Sequence, residues 1–417
     1  MRQSPLLNQS MNLYRSWRVV YLFYILAALL ILQGLFSLLE GIQFRAFIHR
    51  SLQEPVASFT PQVSIIAPCK GIDPELEENF EALFKQNYPD YEIIFAIASR
   101  DDPARPLIEK AMATHPQVNS RLIIATSSSS RSEKISNLLS ALDYASAKSE
   151  ALAFVDSDAR AHKNWLRALV APLGGSGVGA ATGYRWYLPE RGGFWSAALS
   201  AWNGSVATTL GSHSRNFAWG GATAILRETF ERVDLRGKWQ GAVSDDYALT
   251  RAMQEAGLGI IFVPRCLMLS RQDVSFGRLL EFTTRQVIIT RVYRPRVWWA
   301  GLISSALFAA VFFGGIAFTF SRAVRENITV PLLMLATIYL LGSMKGALRL
   351  LAAREALPQA RERITSLWWM FCFLWPLVSL IFLYNFIKSA MTRRINWRGV
   401  CYEMRSPTET AVISKPG

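Results

Sequence analysis

Residues Val19–Leu39 read VVYLFYILAALLILQGLFSLL, an unbroken run without a single charged side chain. About 20 such residues cross a hydrocarbon core roughly 30 Å thick when they are helical. A water-soluble fold rarely leaves so large an apolar surface uncovered, so this run ties the chain to a membrane. It is too long for the core of a signal peptide, and no small-residue cleavage site follows it. It therefore reads as a retained anchor. Three further apolar runs lie towards the C-terminus, at Trp298–Phe320, at Val330–Met344 extending towards Leu351, and at Leu367–Ile387. Lys345 and Arg349 interrupt the middle one. Trp298, Trp299, Trp368 and Trp369 stand at segment ends, where indole rings prefer to sit.

Composition agrees with a membrane enzyme. Hydrophobic residues make up 51% of the chain and charged residues only 18%, against about a quarter charged in soluble domains. The formal net charge of +14 suits anionic lipid or phosphorylated substrates; with long apolar segments present, these come before nucleic acid, which is not an expected partner. Cys69, Cys266, Cys372 and Cys401 show no CxxC spacing, which excludes a disulfide scaffold and a zinc-finger framework. The expected organisation is an N-terminal segment (1–18), a transmembrane anchor (19–42), a soluble domain (60–297), a C-terminal membrane region of about three spans (298–390) and a tail (391–417) whose end, from Arg405, is disordered. Arg349, Arg354, Arg361 and Arg363 mark the loop 346–365 as cytoplasmic. Four spans place the soluble domain on that side but put the tail outside. Lys388, Arg393, Arg394 and Arg398 argue for a cytoplasmic tail, a conflict that one re-entrant or interfacial segment would remove.

Within the soluble domain, VSIIAP (63–68), EIIFAI (92–97), RLIIAT (121–126) and ALAFVD (151–156) read as buried strands. Helical patterns separate them at Pro74–Gln86, Arg105–Ala113 and Ser132–Ala147. Apolar strands alternating with helices predict an α/β domain on a mostly parallel sheet covered on both faces. Ligands of such sheets bind beyond the carboxyl ends of the strands, so the residues just after each strand are the ones to inspect.

The fourth strand runs into Asp156-Ser157-Asp158. Two carboxylates at i and i+2 can hold a hard divalent cation, Mg²⁺ or Mn²⁺, whose shell is completed by substrate phosphate oxygens. DxD alone is a weak signal; its place after an apolar strand, with a second acidic cluster downstream, strengthens it. That cluster, Ser244-Asp245-Asp246-Tyr247, opens a helical pattern that closes at Gly257. One residue suffices as a helix cap, so Asp245 is expected to support the helix start and Asp246 to act as the base. Ala218–Thr223 is a small-residue loop before a helical stretch, in which Gly220 and Gly221 let the backbone approach a ligand. Pro68–Pro74, with Lys70, is a sharp strand-to-helix connection suited to a nucleotide or to a plain turn. Arg285 and Arg291 are placed to neutralise a diphosphate or to bind lipid headgroups; Arg294 and Arg296 read as charges flanking a span. The segment FWSAALSAWNGSVATTL (194–210) reads as an interfacial helix at an acceptor entrance. Trp186, Trp195, Trp202 and Trp219 suit sugar stacking or interfacial contact, although core burial is the commoner fate of tryptophan.

The block VSIIAPCKGIDPELEENFEALFKQNYPDYEIIFAIASRDDPA (63–104) resembles the N-terminal part of ceramide glucosyltransferases and their bacterial relatives, membrane members of the family 2-like GT-A glycosyltransferases. KISNLL (134–139), DSD (156–158), GGATAIL (220–226), SDDYALTRAM (244–253) and FTTRQVIITR (282–291) follow in that family's order. The resemblance implies a cytoplasmic, Rossmann-like GT-A domain with transmembrane helices. It implies inverting transfer of a sugar, glucose by the family's name, from a UDP-sugar to a lipid hydroxyl such as that of ceramide. By the same resemblance, Asp156 and Asp158 hold the diphosphate and a divalent cation (Mg²⁺ or Mn²⁺), and Asp246 takes the acceptor proton. Lys70, Asp102, Lys134, Asn137, Arg285 and Arg291 line the donor site; Gly220, Gly221 and Asp245 lie on the acceptor side. The expected location is a bacterial inner membrane. Two departures stand out: Ser99 replaces an early Asp of the relatives, leaving Asp101 or Asp102 to serve. The (Q/R)xxRW signature also reads Arg-Gln-Val-Ile-Ile at 285–289, without its Arg-Trp pair. Transfer to a hopanoid or polyprenyl phosphate, polysaccharide synthesis and a non-catalytic membrane scaffold remain as alternatives.

Overall fold

The computed structural model describes residues 5–213, 216–321 and 328–414, with side chains from Arg18 onward. A long helix α1 (Pro5–Gln53) leads into β1 (Val63–Pro68), α2 (Leu76–Phe84), β2 (Tyr91–Ile97), α3 (Arg105–Thr114), β3 (Asn119–Ile124), α4 (Glu133–Leu142) and β4 (Ala151–Val155). The domain continues through α5 (Trp165–Val170), β5 (Val178–Leu188), α6 (Phe194–Ala207), β6 (Ala222–Leu226), α7 (Arg227–Arg232), α8 (Leu235–Trp239), α9 (Asp245–Glu255) and β7 (Gly259–Arg271).

The seven strands form one sheet in the order β3-β2-β1-β4-β6-β5-β7. Every pairing is parallel except those of β6, which runs against both β4 and β5. This is the mostly parallel α/β sheet expected of a GT-A domain. Strands β1 and β4 are buried along their whole length, as continuous apolar runs covered on both faces must be. The segment read as a loop before a helical stretch instead enters β6: Ala222 pairs with Val155. A reversed strand set between parallel ones brings its own start, Gly220–Ala222, to the carboxyl end of β4. The loops after β1, β2 and β4 and the loop before β6 thus share one edge.

Beyond the sheet come α10 (Phe276–Tyr293), α11 (Pro295–Thr319), α12 (Thr329–Ala356), α13 (Arg361–Thr365), α14 (Trp368–Cys372) and α15 (Trp375–Met391). Among the described residues, three helices are long and apolar enough to cross a membrane: Arg18–Gln53, α11 and α12. They pack through Phe23, Ala27 and Leu30 against Val311, Phe312, Leu335 and Ile338, with a polar tie from Gln33 to Ser304 at 2.8 Å. Their outer faces leave Leu22, Ile25, Leu29, Phe36, Ile303, Leu333 and Leu340 exposed, the surface a lipid phase would cover. The fourth run is broken between Cys372 and Trp375, and α15 has only 17 residues. It lies beside α10, where Thr283 and Thr284 donate to Asn385 Oδ1 at 3.2 and 3.0 Å. With three crossings the tail returns to the side of the catalytic domain, which removes the conflict of charges between loop and tail.

The tail itself corrects an expectation. It forms a three-stranded antiparallel sheet, β8 (Arg394–Trp397), β9 (Val400–Ser406) and β10 (Glu409–Ser414), and the part from Arg405 to Ser414 is ordered within it. Ile395, Val400, Tyr402 and Met404 alternate onto one face and bury against Val243, Ile288, Ile289 and Tyr293. A second correction concerns α6. Residues Ser196–Gly204 are buried because α10, α14 and α15 cover the helix, so it is an interior support, not an interfacial entrance.

Candidate active site

The DSD turn leaves the carboxyl end of β4 with its first backbone N–H donated to the Gly221 carbonyl at 3.3 Å. Both aspartates are then met by cations. Arg185, projecting from the middle of β5, places Nη2 2.9 Å from Asp156 Oδ2 and Nη1 2.9 Å from Asp158 Oδ2. Its guanidinium stacks 4.7 Å from the Trp219 ring, and Nη1 also donates to the Tyr187 hydroxyl at 2.9 Å. Lys134, in the first turn of α4, reaches Asp156 Oδ1 at 2.8 Å and Asp245 Oδ2 at 3.1 Å. That turn is capped by Ser132, whose Oγ accepts from the Ile135 N–H at 3.3 Å.

Burial works against the charged form of Asp156, but Lys134 and then Arg185 outweigh it and hold the carboxyl below its ordinary range. Burial acts against Lys134 as well, and Asp156, Asp245 and Asp246 together keep its pKa above the usual value. Asp245 goes the other way. Burial pushes it up to about 6, with Asp246 and Asp156 adding to the push and Lys134 opposing it.

Asp245 and Asp246 are neighbours in sequence and opposites in environment. Ser244 caps α9, its Oγ accepting from the Tyr247 N–H at 3.2 Å. Asp245 points inward with only 6% of its side chain exposed. Its close approach needs the glycine at 220, where a Cβ would stand 2.0 Å from Asp245 Oδ2. Asp246 is half-buried; its Oδ1 accepts from the Ser244 hydroxyl and, at 2.7 Å, from the Tyr247 N–H. Among the described residues it forms no ion pair. Tyr293 fixes the loop from α10, its hydroxyl accepting from Val243 N–H at 3.0 Å and Ser244 N–H at 3.3 Å.

The other expected residues divide. Lys70 pairs with Glu133 at 2.9 Å on the rim of the site. Asp102 Oδ1 accepts from the N–H groups of Gly71 and Ala104, both at 2.9 Å, and so pins the loop after β1. Asn137 is buried and donates to the carbonyls of Cys69 and Ala96, each at 3.3 Å; it braces the ends of β1 and β2 from beneath. Gly221 gives the Trp219 ring its space, since a Cβ there would lie 2.2 Å from it. Arg285 faces the site, above Trp397 at 5.7 Å. Arg291 does not join the acidic centre: it donates to the Ser389 carbonyl at 2.7 Å and packs on Trp298. Among the tryptophans, Trp219 belongs to the site. Trp186 and Trp202 are buried against Phe371 and Phe382.

Three participants were not singled out from sequence. Arg185 was detectable as one charge inside an otherwise apolar strand, TGYRWYL, because a buried arginine requires an anion. Asp73 accepts from the Ser157 hydroxyl at 2.9 Å and from Arg398 at 2.8 Å. Arg398 comes from the tail sheet.

Among the described residues no three carboxylate, thiol or imidazole groups converge as ligands. Asp156 and Asp158 nonetheless fit a hard divalent cation, which takes one or two protein carboxylates and fills its shell with phosphate and water. The carboxylates Asp73, Asp156, Asp158 and Asp245 outnumber the cations Lys134, Arg185 and Arg398 that contact them. An incoming diphosphate adds further negative charge.

Comparison with known proteins gives a consistent result. The family described as glycosyl transferase family 21 matches residues 22–410. The chain is 31% identical over 175 residues to ceramide glucosyltransferase of Candida albicans, a match covering 37% of this chain and 32% of that protein. It is 23% identical over 367 residues to ceramide glucosyltransferase 3 of Caenorhabditis elegans, covering 86% and 75%. The matched part thus spans about a third of the Candida protein and three quarters of the nematode one. Among solved structures, a mannosyltransferase from Pyrobaculum calidifontis in complex with GDP-Man and Mn²⁺ is 18% identical with a TM-score of 0.48, covering 88% of this chain and 99% of that one. Glucosyl-3-phosphoglycerate synthase from Mycobacterium tuberculosis in complex with Mn²⁺ and UDP-glucose is 16% identical with a TM-score of 0.36, covering 56% and 79%.

Proposed function

The chain belongs to glycosyltransferase family 21, and from that premise we propose that it transfers glucose from UDP-glucose to the hydroxyl of ceramide, or a ceramide-like lipid, with inversion. The observation that carries this reading is the pairing of a cation-lined acidic turn at the end of β4 with an ion-pair-free Asp246 at the start of α9. Displacement at an anomeric carbon needs those two ends. The acceptor hydroxyl gives its proton to Asp246 as its oxygen bonds to the anomeric carbon. The bond from that carbon to the diphosphate oxygen breaks on the opposite face, and the electron pair leaves with UDP. Lys134 and Arg185 supply fixed positive charge where the leaving group's charge grows. A divalent cation held by Asp156 and Asp158 would add charge neutralisation at the same diphosphate.

The membrane helices support a lipid acceptor, since they hold the domain where a greasy substrate resides. The segment expected as a basic loop begins instead within α12, which runs to Ala356; its Arg349 and Arg354, with Arg361 and Arg363 beyond, support a cytoplasmic catalytic domain, which we place in a bacterial inner membrane. The test is UDP release by the purified protein in detergent with Mg²⁺ or Mn²⁺, offered UDP-glucose, UDP-galactose or UDP-N-acetylglucosamine, each with and without ceramide. Release that requires both UDP-glucose and ceramide is expected. Release with another lipid only would replace the acceptor, and silence with every donor and lipid would favour the scaffold.

A further inference from the structure

The tail sheet brings to the donor end of the site a guanidinium that no motif in the catalytic domain supplies. Strands β8 and β9 are joined by Arg398-Gly399, with Trp397 paired to Val400, and both joining residues have positive φ, 48° and 83°. This is a two-residue hairpin turn in which Asn, Asp or Gly ordinarily stands first, because a Cβ is disfavoured in the left-handed region. An arginine in that position is strained and is held by its contacts. Its Nη2 lies 2.8 and 2.9 Å from the two oxygens of Asp73, and its Nη1 donates to the Lys70 carbonyl. Asp73 in turn accepts from Ser157, the middle residue of the DSD turn, at 2.9 Å. Asp73 first, then Asp158 and Asp156, hold the Arg398 pKa up against burial.

Arg285 stands beside this turn. It stacks over Trp397 at 5.7 Å and donates to the Asn396 carbonyl at 3.3 Å, and its known partners include no carboxylate in contact. Burial lowers its pKa, and Arg398 and Arg185 push the same way. A half-buried guanidinium crowded by two others lacks the anion that would offset its desolvation. The loop that Arg398 touches is the one at the carboxyl end of β1, and Asp73 ties it through Ser157 to the turn after β4, so both lie on the ligand edge of the sheet. Planar guanidinium groups are suited to gripping phosphate oxygens.

We propose that the C-terminal hairpin completes the donor site: Arg398, with Arg285 stacked on Trp397, grips the diphosphate of the nucleotide, and Trp397-Arg398 takes the place of the Arg-Trp pair missing from α10. The proposal rests on the reading of the chain as a UDP-sugar transferase. Asp73 pairs with Arg398 in the structure, and diphosphate competes with it for the same guanidinium.

The experiment measures UDP and uridine binding calorimetrically on the full chain in detergent or in nanodiscs with and without phosphatidylglycerol. Arg398→Gly removes the guanidinium and also relieves the backbone, so this variant should melt at or above the temperature of the parent. It should bind UDP at least about tenfold more weakly while uridine changes by less than about twofold. Arg285→Ala, which leaves the Arg398 guanidinium and its left-handed backbone in place, should show the same split between UDP and uridine. Unchanged UDP affinity in either variant overturns the clamp. So does a variant whose only loss is its response to phosphatidylglycerol, which would make the site one for lipid headgroups. If the parent protein binds no UDP at all, the transferase reading fails first and takes the clamp with it, a result distinct from loss confined to the variants.

Discussion

The acidic turn after β4 and the acidic start of α9 carry the same residue type in nearly the same spacing, yet their surroundings differ. At the turn, both carboxylates are saturated by Arg185 and Lys134. At the helix start, Asp245 shares Lys134 and is buried, while Asp246 meets only a hydroxyl and a backbone N–H. At the turn the cations meet both carboxylates, whereas at the helix start Lys134 reaches Asp245 and, among the described residues, no cation pairs with Asp246. On the proposed reading, one end stabilises negative charge that develops on a leaving group, and the other keeps a carboxylate able to take up a proton. A lysine beside Asp246 would lower its basicity; an unpaired Asp156 would repel the diphosphate.

The largest expected effect tests Asp246. Asp246→Asn keeps the shape and an Oδ1 that can still accept from Ser244 and Tyr247 but removes the basic carboxylate, so kcat for transfer should fall by about 10²–10⁴-fold. UDP affinity should stay as in the parent. A variant that retained its turnover would dissolve the contrast between the two ends. Next comes the cation-rich end. Arg185→Ala strands Asp158 and leaves Asp156 to Lys134 alone, and removing one partner of a buried pair costs on the order of 3 kcal/mol. A lowered midpoint in chemical denaturation checks this, and donor KM should rise with it. Unchanged stability would mean that water, not Arg185, compensates the DSD turn.

How far the contrast was legible in sequence depends on the range of the interaction. Strand β1 was found with its bounds, because continuous apolar runs between helices identify buried parallel strands. Ser244 announced the helix start, since a cap acts within three residues. Local reasoning separates Asp245 from Asp246 but assigns Asp245 to the helix start, whereas in the structure Ser244 caps the helix, Asp246 Oδ1 accepts from the Tyr247 N–H and Asp245 turns inward to Lys134. What was missed acts at long range. Arg185 lies 27 residues from Asp158 in the chain, and Arg398 lies 325 from Asp73; no periodicity encodes such a pairing. Ala218–Thr223 reads as a loop before a helical stretch because its residues are small, and only insertion between β4 and β5 gives Ala222–Leu226 a strand's partners. The tail's alternation of Ile395, Trp397, Val400, Tyr402 and Met404 was visible, but its arginines and its place after the last apolar run suggested a free end.

The pH dependence sharpens the same contrast with a smaller effect. The folded-state pKa of Asp245, about 6, lies above the ordinary 3.8, so the folded state holds that proton more tightly than the unfolded chain. Its contribution to stability is complete below about pH 4 and is lost as pH rises through about 6. Asp156, whose folded pKa is lowered, contributes in the opposite sense, and its share is lost only as pH falls well below 4. The melting temperature of Asp245→Asn should therefore gain on that of the parent between pH 5 and pH 7. Parallel curves would show that Lys134 fully offsets the burial of Asp245.

The smallest effect concerns the boundary of the cation-rich end. Arg285 and Arg291 lie on the same helix, and sequence gave them the same role. Arg285 faces the site, whereas Arg291 ties α10 to the end of α15 through the carbonyls of Ser389 and Thr392. If that distinction holds, Arg291→Ala should leave donor KM within about twofold, because no contact of the donor end is removed. It should lower stability by about 1–2 kcal/mol, the scale of a charged donor lost from partly buried carbonyls. A donor KM raised as much as by Arg285→Ala would extend the cationic end along the whole helix. It would mean that α10 shifts when nucleotide binds, carrying its second arginine toward the DSD turn.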